Sequence, residues 1–168
     1  MYLAAGLAVN RQVAIVWHSR TGASEAMARA AAEGAGGSAL LVPAGECSPE
    51  ILRGAGAYLF VCPENLGSLS GTMKELFDRC YYPLLGQIEG RAYATAIAAG
   101  SAGLGAEAQI DRIVTGWRLR RVAPSLIVNL DAQTPVAIAM PKHLTQAALA
   151  PCINLGKALA EGINLGVF

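Results

Sequence analysis

The stretch VAIVWHSRTGASEAMARA, Val13 to Ala30, decides how the rest of the chain is read. Val13–Trp17 is a run of β-favouring or small apolar residues. It leads into hydroxyls grouped around one glycine (Ser19, Thr21, Gly22 and Ser24) and then into an alanine-rich segment. That is a strand, a turn and a helix in succession. Hydroxyls at near-alternate positions can each donate to the oxygens of an anion, and the glycine lets backbone approach closely. The first turn of the following helix adds unpaired N–H groups at the positive end of its dipole. There is no G-K-[ST], which excludes a nucleoside-triphosphate loop, and no G-x-G-x-x-G, which excludes a dinucleotide fingerprint. A turn built of hydroxyls and amides suits a single terminal phosphate.

The same alternation of strand and helix recurs along the chain. Val13–Trp17, Ala39–Val42, Ala57–Cys62, Ala92–Ala99 and Ser125–Asn129 read as five strands. They lack strict apolar/polar alternation, as expected of strands buried on both faces. Between them, Met73, Leu76, Phe77 and Cys80 mark one apolar helix face, with Pro83 as a stop. Ile110, Ile113, Val114 and Trp117 mark a second. Residues 23–35 are helix-prone but weakly patterned, ending at Gly34, and a short helix is expected near Pro49–Arg53. The final segment reads as helical from Thr145, its N-cap, to Gly162, with Pro151 expected to kink or restart it. Repeated β-α units predict a single three-layer α/β domain with a parallel sheet and right-handed crossovers.

Composition narrows the class without naming a function. The 168 residues suffice to bury roughly 70% of the surface that the unfolded chain exposes. The apolar fraction is 54% and the mean hydropathy +0.40, yet no window approaches the ~20 unbroken apolar residues of a membrane span. MYLAAGLAVN carries neither a basic start nor an adequate apolar core for a secretory signal, so a cytoplasmic location is expected. Cys47, Cys62, Cys80 and Cys152 form no C-x-x-C pair and read as free thiols buried as small apolar groups. With only two histidines, well apart, a zinc site has no ligand set. A formal charge of +1 predicts neither a nucleic-acid surface nor an acidic docking face, and without an apolar span no membrane insertion is expected.

Ligands of such sheets bind outside the carboxyl ends of the strands. Two further loops follow strands. In CPENLGSLSG, Cys62 to Gly71, Pro63 is expected to end its strand. The segment then supplies Asn65, Gly67, Ser68 and Ser70 as exposed backbone and small polar groups. AAGSAGLGA, Ala98 to Ala106, holds three glycines in six residues, and such backbone can lie flat against a planar ligand. One phosphate loop and two ring-edge loops describe a ligand with a phosphate tail and a flat heteroaromatic head.

These segments resemble a known group. The S-x-T-G-x-S run at Ser19–Ser24 resembles the phosphate loop of flavodoxin-like FMN proteins. PENLGSLSGTMKELFDRCYYPL and AAGSAGLGAEAQIDRIVTGWRL are similar to the ring-binding segments of flavodoxin-like NAD(P)H-dependent FMN reductases and quinone reductases. INLGKALAEGINLGVF is similar to their closing helix. The resemblance implies a flavodoxin-like five-stranded sheet of order 2-1-3-4-5, FMN as cofactor and NAD(P)H as co-substrate. It places the phosphate on Ser19, Arg20, Thr21, Gly22, Ala23 and Ser24. The ring falls on Pro63, Glu64, Asn65, Leu66, Gly67 and Ser68, then on Gly100, Ser101 and Gly103.

Other polar residues have plainer readings. Hydride transfer to a flavin needs no general base, so Glu64 is expected to have a structural or loop-surface role. His18 reads as a partly buried histidine bonded near the phosphate loop, and His143 as exposed and uninvolved. Arg118, Arg120 and Arg121 complement a helix dipole, the alternative being a 2′-phosphate contact. Trp17 and Trp117 read as core. Tyr81 and Tyr82 either close the core or anchor the interface of a homodimer.

Two activities use an FMN site of this kind. A flavodoxin-type electron carrier is typically acidic and covers the ring with aromatics. A reductase leaves one flavin face open to a nicotinamide and then to a small-molecule acceptor, a flavin, quinone or similar compound. The near-zero charge and ring loops whose only bulky groups are Leu66, Leu69 and Leu104 favour the oxidoreductase. No side chain stands out as catalytic.

Overall fold

The computed structural model describes residues 10–168, so the stretch read for a secretory signal lies, apart from Asn10, outside the described residues. The elements are β1 (Val13–Trp17), α1 (Ala23–Ala35), β2 (Ala39–Pro43), α2 (Pro49–Gly54), β3 (Ala57–Asn65), β4 (Ser68–Leu69) and α3 (Gly71–Leu84). They continue with β5 (Ala92–Ala99), α4 (Leu104–Gly116), β6 (Arg120–Arg121), β7 (Leu126–Asn129), α5 (Pro135–Ala139) and α6 (Gln146–Leu165).

The strands β2, β1, β3 and β5 lie side by side in parallel. The expected fifth strand comes as two pieces on the outer edge of β5. β6 pairs with Ala92–Tyr93 and β7 with Ala96–Ala99. Counted as one edge position, they keep the expected order. The break has a physical cause. Pro124 has no N–H to donate, and Arg121 turns into the gap to donate to the Ala123 carbonyl, Thr95 Oγ1 and Asp111. Thr95, fully buried, also bonds Ser125 Oγ at 2.9 Å.

Pro63 does not end its strand. β3 runs on to Asn65, pairing Pro63 with Ala98. Alternate residues of a strand turn their backbone groups to the same neighbour, and the Val61 carbonyl accepts from His18 N on the β1 side. Pro63 faces that side two residues later, past the end of β1, where no ladder bond is lost. Beyond it the chain reverses through Leu66 and Gly67, both at positive φ (53° and 70°), into the antiparallel β4.

Two apolar layers flank the sheet. Val13, Ile15, Leu59, Val61 and Ala92, Ala94, Ala96 and Ala98 of β5 face α1 and α6. Ala14, Val16, Tyr58, Phe60, Cys62 and Ile97 face α2, α3 and α4. The alanine content of α1 follows from its partner. A Cβ on Gly34 would lie 1.9 Å from the Ile153 carbonyl oxygen, and one on Gly156 the same distance from that of Ala31. The two backbones touch, leaving no room for a leucine stripe. On the other side Trp117 is buried, packs on Phe77 and Tyr81, and donates Nε1 to the Tyr81 carbonyl. Tyr81 is half-buried, whereas Tyr82 is exposed. All four cysteines are free and buried.

The short helix α2 forms where expected, with Ser48 Oγ accepting from Ile51 N and Pro49 in its first turn. Pro83 sits inside the last turn of α3, which ends one residue later. Thr145 caps α6, but Pro151 does not restart that helix, which continues to Leu165 and closes on Gly166 at φ 65°. The carbonyl that Pro151 leaves without a helical donor belongs to Ala147, an exposed residue that water can reach. α5, which the sequence reading left unassigned, starts with Thr134 Oγ1 accepting from Ala137 N.

Candidate functional site

The chain ends its central strands at one edge of the sheet, and four segments gather there: 18–22, 63–68, 98–103 and 130–143. They enclose a cavity of about 560 Å³. It is lined by Arg20 and Thr21 from the first, Pro63–Leu66 from the second, and Ala98, Gly100 and Ser101 from the third. The fourth contributes Leu130, Ala132, Gln133, Ile138 and Lys142.

The turn after β1 is set by Gly22, the N-cap of α1, at φ 101°, a conformation that side-chain-bearing residues rarely adopt. Ser19 Oγ accepts from Gly22 N at 3.0 Å and keeps its own proton to donate. No side chain caps α1, so the amides of its first turn remain available. Three buried side-chain atoms among the described residues lack a partner: Trp17 Nε1, Arg121 Nε and Ser24 Oγ. Ser24 alone belongs to this turn, where it is 1% exposed. An orphaned hydroxyl beside uncapped amides fits a phosphate, which would accept from both. Ala23 is buried beneath the turn, and Arg20 is exposed at the cavity rim.

The second and third segments are held together by Glu64. Its Oε1 accepts from Gly103 N at 3.0 Å, and its Oε2 from Gly105 N at 2.9 Å and Ala106 N at 3.1 Å. Glu64 therefore caps α4 from across the cavity, where Gly103, with no side chain and φ 83°, cannot. Gln109 adds a second tie, its Oε1 accepting from Leu69 N and Ser68 Oγ, both at 2.8 Å. Gly105 lets the hairpin sit directly on the helix, since a Cβ there would lie 2.0 Å from the Gly67 carbonyl oxygen.

The expected site residues thus divide. Arg20, Thr21, Pro63, Glu64, Asn65, Leu66, Gly100 and Ser101 line the cavity. Ser19, Gly22, Ala23 and Ser24 form the turn beside it. Gly67, Ser68 and Gly103 are spent on packing the hairpin against α4. His18 Nδ1 bonds Ser70 Oγ at 2.9 Å, and burial, with Arg20 adding to it, lowers the imidazole pKa. His143 is exposed. Arg118–Arg121 lie at the opposite edge. Arg120 pairs with Ala92, at the start of β5, roughly 23 Å from the cavity end of that strand by ~3.3 Å per residue. Arg121 is instead a structural residue, over the Tyr93 ring at 4.9 Å and paired with Asp111.

The fourth segment was missed from sequence. It spans the cavity from the third segment to the first. Ala132 N and Gln133 Nε2 both donate to the Gly100 carbonyl at 3.1 Å, and Lys142 N donates to the Thr21 carbonyl at 2.7 Å. The available signal was Thr134-Pro135, a cap residue followed by proline at the first helical position.

Solved structures with the same fold are numerous. An archaeal flavodoxin superposes with a TM-score of 0.73 at 17% identity, covering 91% of this chain and 99% of that one. A WrbA-like flavodoxin from Agrobacterium tumefaciens gives 0.70 at 21%, covering 92% and 98%. The flavodiiron protein from Giardia intestinalis gives 0.73 at 17%, covering 92% of this chain but 36% of that one. The fold is flavodoxin-like. No curated protein matches the sequence. Residues 45–134, from the loop before α2 through the second and third segments to the start of the fourth, match the NADPH-dependent FMN reductase family. With more than half its length in that match, the chain belongs to the NADPH-dependent FMN reductase family.

Proposed function

We propose that the cavity binds FMN without a covalent bond and that the chain is an NAD(P)H-dependent oxidoreductase. It would pass electrons to a flavin, a quinone or a similar small acceptor. Bound there, FMN would supply the hydride-accepting centre, and the protein's part is binding and orientation. Ser19, Thr21, Ser24 and the α1 amides hold the phosphate. Pro63–Leu66, Gly100 and Ser101 face the ring, while Gly22, Ala23, Gly67, Ser68 and Gly103 shape the loops around it.

The observation that carries this reading is the make-up of the cavity wall. Among the described residues lining it, none is aromatic, so nothing stacks over a planar ligand. A nicotinamide needs that open face to bring its donor carbon within about 3–3.5 Å of the acceptor. Leu66 supports the same reading. It is fully exposed at the rim and held at φ 53°, a backbone state that costs a non-glycine residue about 1 kcal/mol or more. A ligand that covers its side chain offsets that cost. Glu64, with both oxygens committed to amides, orients the ring loops and moves no proton. The four buried free thiols suit the cytoplasm, and the residues act as one domain.

Anaerobic reduction tests the reading. Protein loaded with FMN should lose its visible absorption on adding NADPH or NADH, at a rate far above that of free FMN. A bound flavin that neither donor reduces would overturn the reductase in favour of an electron carrier.

A further inference from the structure

We propose that Lys142, carried to the cavity by the fourth segment, is a ligand-binding residue that makes the site select a phosphorylated flavin over a neutral one. The inference rests on the FMN reading above.

The phosphate turn itself is poor in charge. It supplies hydroxyls and amides, and its single cation, Arg20, is exposed. Lys142 is fastened to this turn through its backbone. Its N–H donates to the Thr21 carbonyl at 2.7 Å, and its carbonyl oxygen lies 3.5 Å from where a Cβ on Gly22 would stand. The side chain is fixed as well. Nζ donates to the Ile138 carbonyl at 3.0 Å and the Met140 carbonyl at 2.6 Å. Both acceptors are neutral carbonyls, so neither pairs with its charge, and one N–H is left over. Among the described residues no carboxylate forms an ion pair with it. A lysine usually loses much side-chain freedom on binding an anion; this one is already ordered.

The charges around the cavity point the same way. Among the described residues lining it, Arg20 and Lys142 are the cations and Glu64 the only carboxylate, and Glu64 is turned away to the amides of α4. A neutral ligand gains nothing from an unpaired lysine on the cavity wall. A phosphate gains a charge-assisted hydrogen bond and a point charge at short range.

The test compares FMN with riboflavin, which carries the same ring and ribityl chain without the phosphate. Dissociation constants are measured by quenching of flavin fluorescence with apoprotein, for wild type, Lys142→Met and Lys142→Arg, at low and high salt. Thermal melting with inorganic phosphate gives a readout that needs no flavin. Lys142→Met should weaken FMN about tenfold or more, leave riboflavin within about twofold, and flatten the salt dependence of FMN binding. It should also reduce the melting shift caused by phosphate, and Lys142→Arg should restore most of each effect. Equal loss for both flavins would make Lys142 a packing or ring residue and overturn the proposal, as would unchanged FMN binding. Should the wild type bind neither flavin, the FMN reading itself fails and takes this one with it.

Discussion

Replacing Glu64 separates a structural carboxylate from a catalytic one. In the native protein its two oxygens accept three amides, at 3.0, 2.9 and 3.1 Å, and one of these belongs to the fully buried Ala106. Glu64→Ala leaves all three without a partner. A lost cap costs about 1 kcal/mol and a lost charge-assisted bond roughly 1.5–3 kcal/mol, so with Glu64 half-buried a total of about 2–4 kcal/mol is expected. For a chain of this length that is a fall in Tm of roughly 5–15 °C. Glu64→Gln keeps one acceptor oxygen and loses the charge, so about half of the penalty should remain. Urea denaturation followed by circular dichroism measures both. Loaded with FMN, Glu64→Gln should still be reduced by NADPH within a few-fold of the wild-type rate. A loss below about 0.5 kcal/mol for the alanine variant would refute the capping role. A stable, flavin-loaded glutamine variant that no longer accepts electrons would show that Glu64 acts on the reacting atoms.

Three further outcomes follow from packing and protonation. Gly156→Ala sets a methyl 1.9 Å from the Ala31 carbonyl oxygen, and should cost about 3 kcal/mol or more in denaturant melts, whereas Gly37→Ala, in open space, should stay within about 0.5 kcal/mol. His18 has a folded pKa below its ordinary 6.5, because burial, then Arg20, disfavours its charge. Its contribution to stability is therefore complete above pH 6.5 and is lost as pH falls through the lowered folded value, so His18→Gln should flatten that part of the acid limb in pH-dependent urea melts. Burial pushes Cys47 and Cys62 up to about 12 and Cys152 to about 11. None of the four thiols should react with a disulfide reagent at pH 8 until denaturant is added; rapid labelling of the folded protein would contradict their burial.

What the sequence made legible was local. The turn from Val13 into α1, the apolar face of α3, the Ser48-Pro49 start of α2 and the Thr145 cap all rest on neighbours within a few residues. So does the reading of buried parallel strands, which settled the layer order. The misses were interactions at long separation. Glu64 reaches amides about forty positions away, and no spacing in PENLGSLSG announces it. Pro63 is tolerated in β3 only because β1 stops two residues short on that side. The fifth strand divides because Arg121 finds Asp111 and Thr95, contacts visible only once α4 is packed. Residues 130–143 carry almost no periodicity, and their place is settled by backbone bonds to Gly100 and Thr21. The cavity's fourth wall, Lys142 included, became visible only in three dimensions.

The central claim is that the cavity at the carboxyl edge of the sheet is the flavin site, and a crystal structure of the FMN complex tests it most directly. The account predicts the phosphate within hydrogen-bond reach of Ser19, Thr21 and Ser24 and of the α1 amides. The ring should lie against Pro63–Leu66 and Gly100–Ser101, with one face open. Flavin bound elsewhere, or a phosphate that leaves Ser24 Oγ without a partner, would contradict it.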